Sequence, residues 1–184
     1  YGGDIPLACA GIITKVNMIF MSFVIGISQG IQPIIGFNYG AEKYERVRKS
    51  YLLALGTATV LSGIAFFCFQ VFPRQIISVF GSGSELYFQF AERYLKIFMF
   101  MTFVNGIQPV SSSFFTSIGM AKLGIVMSLT RQVIFLLPLI IIFPLFMGID
   151  GVMYAGPIAD AAAFALAIVF ARRELGKMRS AEIA

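Results

Sequence analysis

The sequence predicts an all-α integral membrane protein, a polytopic bundle of about five transmembrane helices. Hydrophobic residues make up 58% of the 184 residues and charged residues only 12%, which is about half the charged fraction of a soluble domain. The apolar residues are also gathered into long runs, whereas the strands of a membrane barrel would be alternating segments of ~10 residues. A soluble domain of this size has too little interior to bury so much apolar surface.

Five apolar runs each reach the ~20 residues that a helix needs to cross ~30 Å of hydrocarbon. They cover residues 5–35, 51–72, 94–119, 123–147 and 151–171. These runs predict a single transmembrane domain, with a cytoplasmic tail over residues 172–184. The chain begins at Tyr1 rather than Met, and its first stretch lacks the basic start and cleavage site of a signal peptide. We therefore expect a piece of a longer protein.

The first run ends in a stretch that is unusual for a membrane helix, SQGIQPIIGFNYG at residues 28–40. Pro33 has no backbone N–H and is expected to kink the helix, and residues 36–40 are expected to form a polar turn. Gln29 and Gln32 flank this predicted break. Amides at membrane depth must find hydrogen-bond partners, so both glutamines are predicted to face protein or water.

The segment between the second and third runs differs in kind. Residues 74–80 mix apolar and polar side chains, and they are preceded by Pro73 and followed by Gly81. Proline at the start of a helix and glycine just past its end are the usual punctuation. The pattern predicts a short amphipathic helix at the outer membrane interface.

The third run repeats the combination of an amide and a proline, with Asn105 followed by Gln108, Pro109 and the small-residue patch 111–113. Discontinuous helices with polar residues at membrane depth line the substrate cavities of transporters. The alternative is that these side chains only bond to backbone carbonyls and hold helices together. The two breaks together favour a cavity. The candidate residues for its substrate or ion pathway are Gln29, Gln32, Phe103, Asn105, Gln108, Ser112, Arg131 and Asp160.

Three ionisable residues lie inside apolar runs. At 1.5 Å per residue, Asp160 lies ~14 Å and Lys15 ~15 Å from the outer ends of their helices, and Arg131 lies ~12 Å from the inner end of its helix. An unpaired charge at this depth is costly. We therefore expect Asp160 to pair with Lys15 or Arg131, either as an acid that senses substrate or protons or as a structural lock between helices.

The distribution of basic residues orients the predicted helices. Nine of the fourteen lie on one side, namely Lys43, Arg46, Arg48, Lys49, Lys122, Arg172, Arg173, Lys177 and Arg179. Three lie on the other side, namely Arg74, Arg93 and Lys96. The positive-inside rule makes the first side, and with it the C-terminus, cytoplasmic. Since topology accounts for the net charge of +5, we expect no binding of nucleic acid.

Enzymatic and metal chemistry find no support in the sequence. The chain has no His, and Cys9 and Cys68 sit singly inside apolar runs, so neither a disulfide framework nor a metal site is indicated. There is no HExxH motif, no pair of membrane aspartates and no Ser-Lys or Ser-His arrangement. We expect the protein not to be an enzyme and to need no cofactor or metal.

Five stretches carry a resemblance to a known family. They are GISQGIQPIIGFNYGAEKYERVRK, FPRQIISVF, SSSFFTSIGMAK, LTRQVIFLLPLIIIFP and GIDGVMYAGPIADAAAF. Their order and spacing resemble the C-terminal half of a multidrug and toxic compound extrusion (MATE) transporter, from about residue 4 to residue 173. The resemblance implies a protein of twelve helices in two six-helix lobes. This chain would carry helices eight to twelve, and its partners would be the N-terminal lobe and the seventh helix of the same protein.

The resemblance also implies a function. Members of the family sit in the plasma membrane and export cationic, amphiphilic drugs in antiport with H⁺ or Na⁺, by rocking of the two lobes. Their main coupling acid lies in the N-terminal lobe. Some Na⁺-coupled relatives carry a further acid where this chain has Asn105, which cannot titrate.

Two alternatives to drug export stay open. A lipid-linked saccharide flippase of the same superfamily would need more cavity cations than Lys15 and Arg131 to hold a pyrophosphate. A structural membrane protein that transports nothing would leave the two Gln-Pro breaks without a purpose.

Overall fold

The computed structural model describes residues 4–81 and 83–183, which form a bundle of α-helices. This confirms the predicted all-α membrane fold class. The helices are α1 (Asp4–Gly40), α2 (Tyr44–Val71), α3 (Pro73–Phe80), α4 (Glu85–Phe98), α5 (Thr102–Asn105), α6 (Ile107–Ser117), α7 (Ala121–Leu129), α8 (Leu137–Met147) and α9 (Ile149–Ile183). A π-helical turn, Thr130–Leu136, joins α7 to α8.

Four helical stretches of the described chain are long and apolar enough to cross a membrane, namely Pro6–Gly40, Tyr44–Val71, Ala121–Met147 and Ile149–Ser180. The third predicted run, residues 94–119, is present as parts of the successive helices α4, α5 and α6. Irregular backbone at residues 99–101 and a turn at Gly106 divide it. None of its three pieces reaches a membrane-spanning length alone, so this span is a discontinuous helix.

The end of α1 differs from the prediction. The helix continues through Pro33 as far as Gly40, so the polar turn predicted at residues 36–40 is wrong. Asn38 is helical, and its Nδ2 donates to the carbonyl oxygen of Ile34 at 2.8 Å. The reversal falls instead on residues 41–43, where Glu42 adopts a φ of 57°.

Two helices are longer than their apolar runs. Helix α4 begins at Glu85 rather than near residue 94, because Tyr87, Ala91 and Tyr94 repeat at helical spacing and are buried on one face. The hydroxyl of Ser84 caps its start by accepting from the backbone N–H of Tyr87 at 3.3 Å. Counting apolar residues overlooks such amphipathic extensions.

The same reason applies to α9. The helix continues to Ile183, through the segment predicted as a tail. Ala171, Glu174 and Met178 are buried at helical spacing. This extension therefore packs one face against the bundle while the basic residues beside it stay exposed.

The buried apolar residues form two clusters at opposite ends of the bundle, which we name outer and inner after the orientation predicted from the sequence. The outer cluster joins the first half of α1 to the end of α2, α3, α4 and the start of α9. The inner cluster joins the end of α1 to the start of α2, α6, α7 and the later part of α9. Successive long helices are therefore antiparallel. The two connections at residues 41–43 and 118–120 and the end of α9 lie together at the inner end.

At the outer end, α3 lies against the bundle through the buried Pro73 and Ile77. Its Arg74 forms two hydrogen bonds to the carboxylate of Glu85, at 2.6 and 3.0 Å. These hydrogen bonds hold the pKa of Glu85 below its usual range. The pair lies on the surface of the bundle, since the side chains are 51% and 61% exposed.

Large apolar side chains cover much of the bundle surface. Leu53 and Phe146 are 73% and 83% exposed, and α8 buries no residue at all. Such a surface is expected where lipid or a further helix takes the place of water.

Candidate functional site

A polar layer separates the outer from the inner cluster, and its centre is Asp160 on α9. Oδ1 of Asp160 accepts a hydrogen bond from Nε of Arg131 at 2.7 Å, and Oδ2 accepts one from Nδ2 of Asn105 at 2.8 Å. The aspartate side chain is only 3% exposed. Because each carboxylate oxygen has its own donor, the buried charge is paired.

Of the two cations predicted as partners for Asp160, the structure selects Arg131. Lys15 is exposed on α1 and does not contact the aspartate. Of the two predicted alternatives, Lys15 is therefore the one that does not pair with Asp160. The depths of the two cations were similar, but depth along a helix does not determine the side of the helix on which a residue lies.

The π-helical turn positions Arg131. The backbone N–H of Leu137 bonds to the carbonyl of Gln132, five residues back, which is the hydrogen bond of a widened turn. The Thr130 hydroxyl donates to the Val126 carbonyl at 2.6 Å, and Pro138 has no N–H with which to continue an α-helical ladder. Such turns occur frequently at functional sites.

Close packing of the discontinuous helix against α2 positions Asn105. The next residue, Gly106, lies so near α2 that a Cβ atom there would be 2.8 Å from Oγ of Ser62 and 3.0 Å from the carbonyl oxygen of Ala58. Only glycine fits at this point without a shift of the neighbouring helix. This packing fixes the position of the preceding residue, Asn105, whose side-chain amide bonds to Asp160 on α9.

A polar pocket of about 270 Å³ opens beside this layer, between α1, α6 and the junction of α7 with the π-helical turn. Apart from Met21, Ile25 and Pro109, its lining consists of polar side chains. These are Ser28, Gln29, Gln32, Gln108, Ser112, Ser113, Ser128, Arg131 and Gln132. A concave polar site within an apolar bundle is where a membrane transporter is expected to hold its cargo.

Several of the lining side chains also join helices. Gln32 donates to the hydroxyl of Ser113 at 3.3 Å. Gln108 donates to the carbonyl of Met127 at 2.9 Å, and Ser112 donates to that of Gly124 at 2.7 Å. Gln108 and Ser112 therefore hold helices together, as the alternative interpretation of the sequence predicted. Both residues also line the pocket.

The structure separates the remaining candidates from the pocket. Asn105 and Asp160 are buried behind Arg131 rather than in the lining. Phe103 is 39% exposed and packs edge-on against Phe66, with ring centroids 5.4 Å apart, so it too lies outside the pocket.

Four polar lining residues were not among the candidates predicted from the sequence. Ser28, Ser113, Ser128 and Gln132 all line the pocket. The spacing of Ser128, Arg131 and Gln132, at i, i+3 and i+4, places the three on one side of a helix and was a usable signal. Within the part of the chain that the structure describes, no group of three His, Cys, Asp or Glu residues is arranged to hold a metal ion.

Comparison with known proteins agrees with this architecture. The MatE family model matches residues 1–148. The multidrug export protein MepA of Staphylococcus aureus (strain bovine RF122 / ET3-1) is 23% identical over 176 residues, which are 94% of this chain and 38% of MepA. The chain therefore spans about two-fifths of the length of this relative.

Solved structures show the same fold. The MATE multidrug transporter DinF-BH, solved as a complex with a ligand, is 37% identical and has a TM-score of 0.81, covering 89% of this chain and 36% of that one. An outward-facing MATE transporter of the MOP superfamily is 17% identical, with a TM-score of 0.89 over 97% of this chain and 40% of that one. The family match covers most of the sequence, and the chain belongs to the MATE family of transporters.

Proposed function

We propose that this chain forms most of the C-terminal lobe of a secondary active efflux transporter. The transporter exports cationic amphiphilic compounds in antiport with H⁺ or Na⁺. The observation that carries the proposal is the polar pocket, open on one side of an otherwise apolar bundle, in a chain of the MATE family. The names of the relatives, a multidrug export protein and a multidrug transporter solved with a ligand, support drug-like cargo.

The proposed mechanism is alternating access. An N-terminal lobe and a seventh helix would cover the open side of the pocket, and rocking of the two lobes would expose it to each side of the membrane in turn. We assign the coupling acid to the N-terminal lobe. Asn105 cannot titrate, and Asp160 is already bonded to Arg131 and Asn105.

The orientation belongs to the same proposal. Lys43, Lys122 and Arg172 lie near the inner cluster together with the other six basic residues of that side, which supports a cytoplasmic inner end and C-terminus in the plasma membrane.

The test measures ethidium efflux by a drug-hypersensitive bacterium that expresses the full-length transporter containing this chain. We expect efflux that depends on an imposed pH or Na⁺ gradient, and a lower rate for the Asn105→Ala variant. Asn105→Ala removes a donor to Asp160 beside the pocket. Gln70→Ala is the matched control, because the amide of Gln70 bonds to the Lys96 carbonyl at the surface.

Efflux that is absent under every gradient, at normal membrane expression, would contradict drug export. A flippase for lipid-linked saccharides would then be the next candidate.

A further inference from the structure

The pocket has an unusual charge for a site expected to receive cations. Its lining contains the guanidinium of Arg131 and, among the described residues, no carboxylate. Asp160 balances that charge from behind, where its side chain is 3% exposed and that of Arg131 is 15% exposed. A ligand in the pocket therefore meets the positive partner of the ion pair.

Arg131 has hydrogen-bonding capacity to spare. An arginine side chain carries five N–H donors. Nε bonds to Asp160, and Nη1 has a long contact of 3.4 Å with Oε1 of Gln132. Nη2 has no hydrogen bond to any described residue. The Nη1 and Nη2 atoms form a planar fork that matches a carboxylate, for which lysine is a poor substitute.

The size of the pocket limits what enters it. About 270 Å³ lies below the range of ~300 to 1,000 Å³ that accommodates a whole drug-sized ligand. Met21 and Ile25 add a small apolar wall next to the polar lining. The pocket is therefore suited to one end of an amphiphile, while the rest of the molecule extends towards the open side.

We propose that this pocket binds the carboxylate end of amphiphilic substrates through Arg131, so that the transporter favours zwitterions over purely cationic esters of the same molecule. The inference rests on the proposed transport function and names a substrate class for it. Asp160 occupies only Nε of Arg131, so Nη1 and Nη2 of Arg131 are the groups that contact the ligand.

Two dyes with the same chromophore test the proposal. One is a cationic rhodamine ethyl ester, and the other is its free acid, which is a zwitterion. Their dissociation constants for the purified full-length transporter are measured by fluorescence polarisation. The readout is the ratio of the Kd of the free acid to the Kd of the ester, which cancels general loss of affinity.

The informative comparison is between Asp160→Asn and the double variant Arg131→Gln/Asp160→Asn. The two proteins differ only at position 131, and neither leaves a buried carboxylate without a partner. We expect the Kd ratio to be at least about tenfold higher in the double variant, since a hydrogen bond between charged groups is lost. Lys122→Gln, which removes an exposed charge outside the pocket, should leave the ratio at the wild-type value.

If the double variant fails to fold, Asp160→Asn is compared with wild type. Removal of the competing carboxylate should then lower the Kd of the free acid and not that of the ester. Equal ratios in all variants would overturn the proposal and leave Arg131 as a structural partner of Asp160. Efflux assays distinguish the two claims, because a wild type that binds the acid through Arg131 but exports neither dye contradicts the transport function alone.

Discussion

Two arginine–carboxylate pairs in this chain have nearly the same shortest distance and very different surroundings. Arg74 and Glu85 approach to 2.6 Å at the outer end, and Arg131 and Asp160 approach to 2.7 Å in the polar layer. The side chains of the outer pair are 51% and 61% exposed, whereas those of the pair in the polar layer are 15% and 3% exposed. Burial, rather than distance, therefore decides how much the loss of one partner costs.

The two pairs also differ in the other contacts that their members make. Arg74 also lies 3.8 Å from Glu92, and its guanidinium lies 5.0 Å from the centre of the Phe88 ring. Asp160 has only Asn105 besides its arginine among the described residues. The outer pair is thus one of several contacts that Arg74 makes at the surface, while Asp160 without its arginine would keep a single donor in the described chain, Asn105.

The largest effect is expected from Arg131→Ala. It leaves the carboxylate of Asp160 buried without its cation, which lowers the free energy of unfolding by about 3–5 kcal/mol. Thermal unfolding of the detergent-solubilised transporter measures the effect, with Arg74→Ala as the matched variant from the outer pair. Equal losses of Tm in the two variants would contradict the role given to burial.

A smaller effect is expected from Asn105→Ala. It removes one hydrogen bond to a buried charged group and leaves the ion pair in place, which corresponds to about 2 kcal/mol. The same unfolding assay applies, and Gln70→Ala should change Tm much less because its bond lies at the surface. A Tm drop as large as that of Arg131→Ala would show that the amide, rather than the guanidinium, is the main partner.

The double variant Arg131→Gln/Asp160→Asn should return close to wild-type stability, within about 1 kcal/mol. It removes both charges together and keeps groups that can bond to each other. A double-mutant cycle built from the two single variants measures this coupling. Additive losses would mean that the two side chains do not act as a unit.

The smallest effect is expected from acid at the outer pair. Because Arg74 lowers the pKa of Glu85, the stabilising contribution is present at neutral pH, above the unfolded-state pKa. It is lost only as the pH falls through the lowered folded-state value. Glu85→Gln should abolish this part of the pH dependence of Tm, and high salt should weaken it in the wild type.

The spans that consist of long apolar runs could be predicted from the sequence. The spans around α2 and α7–α8 follow from bilayer thickness, which sets the length of an apolar helix. The extensions of α4 to Glu85 and of α9 to Ile183 could not be predicted from apolar runs. Their exposed faces are polar, and only the spacing of buried residues such as Tyr87 and Met178 marks them as helical.

Part of the candidate site could be predicted from the sequence. A buried acid at membrane depth requires a partner, so the pairing of Asp160 with a cation followed from the cost of an isolated charge. The choice of Arg131 over Lys15 depends on which side of each helix faces inwards. For Arg131 that side is set by the π-helical turn, which simple periodicity does not predict.

The widened turn between α7 and α8 also makes this helix sensitive to its length. An α-helix advances about 100° per residue, and the π-helical turn accommodates its residues with a different rotation. Deletion of a single residue from Thr130–Leu136 would restore regular winding and rotate one half of the helix against the other. The chain would keep its composition and hydrophobicity, yet the guanidinium and the carboxylate would no longer face each other.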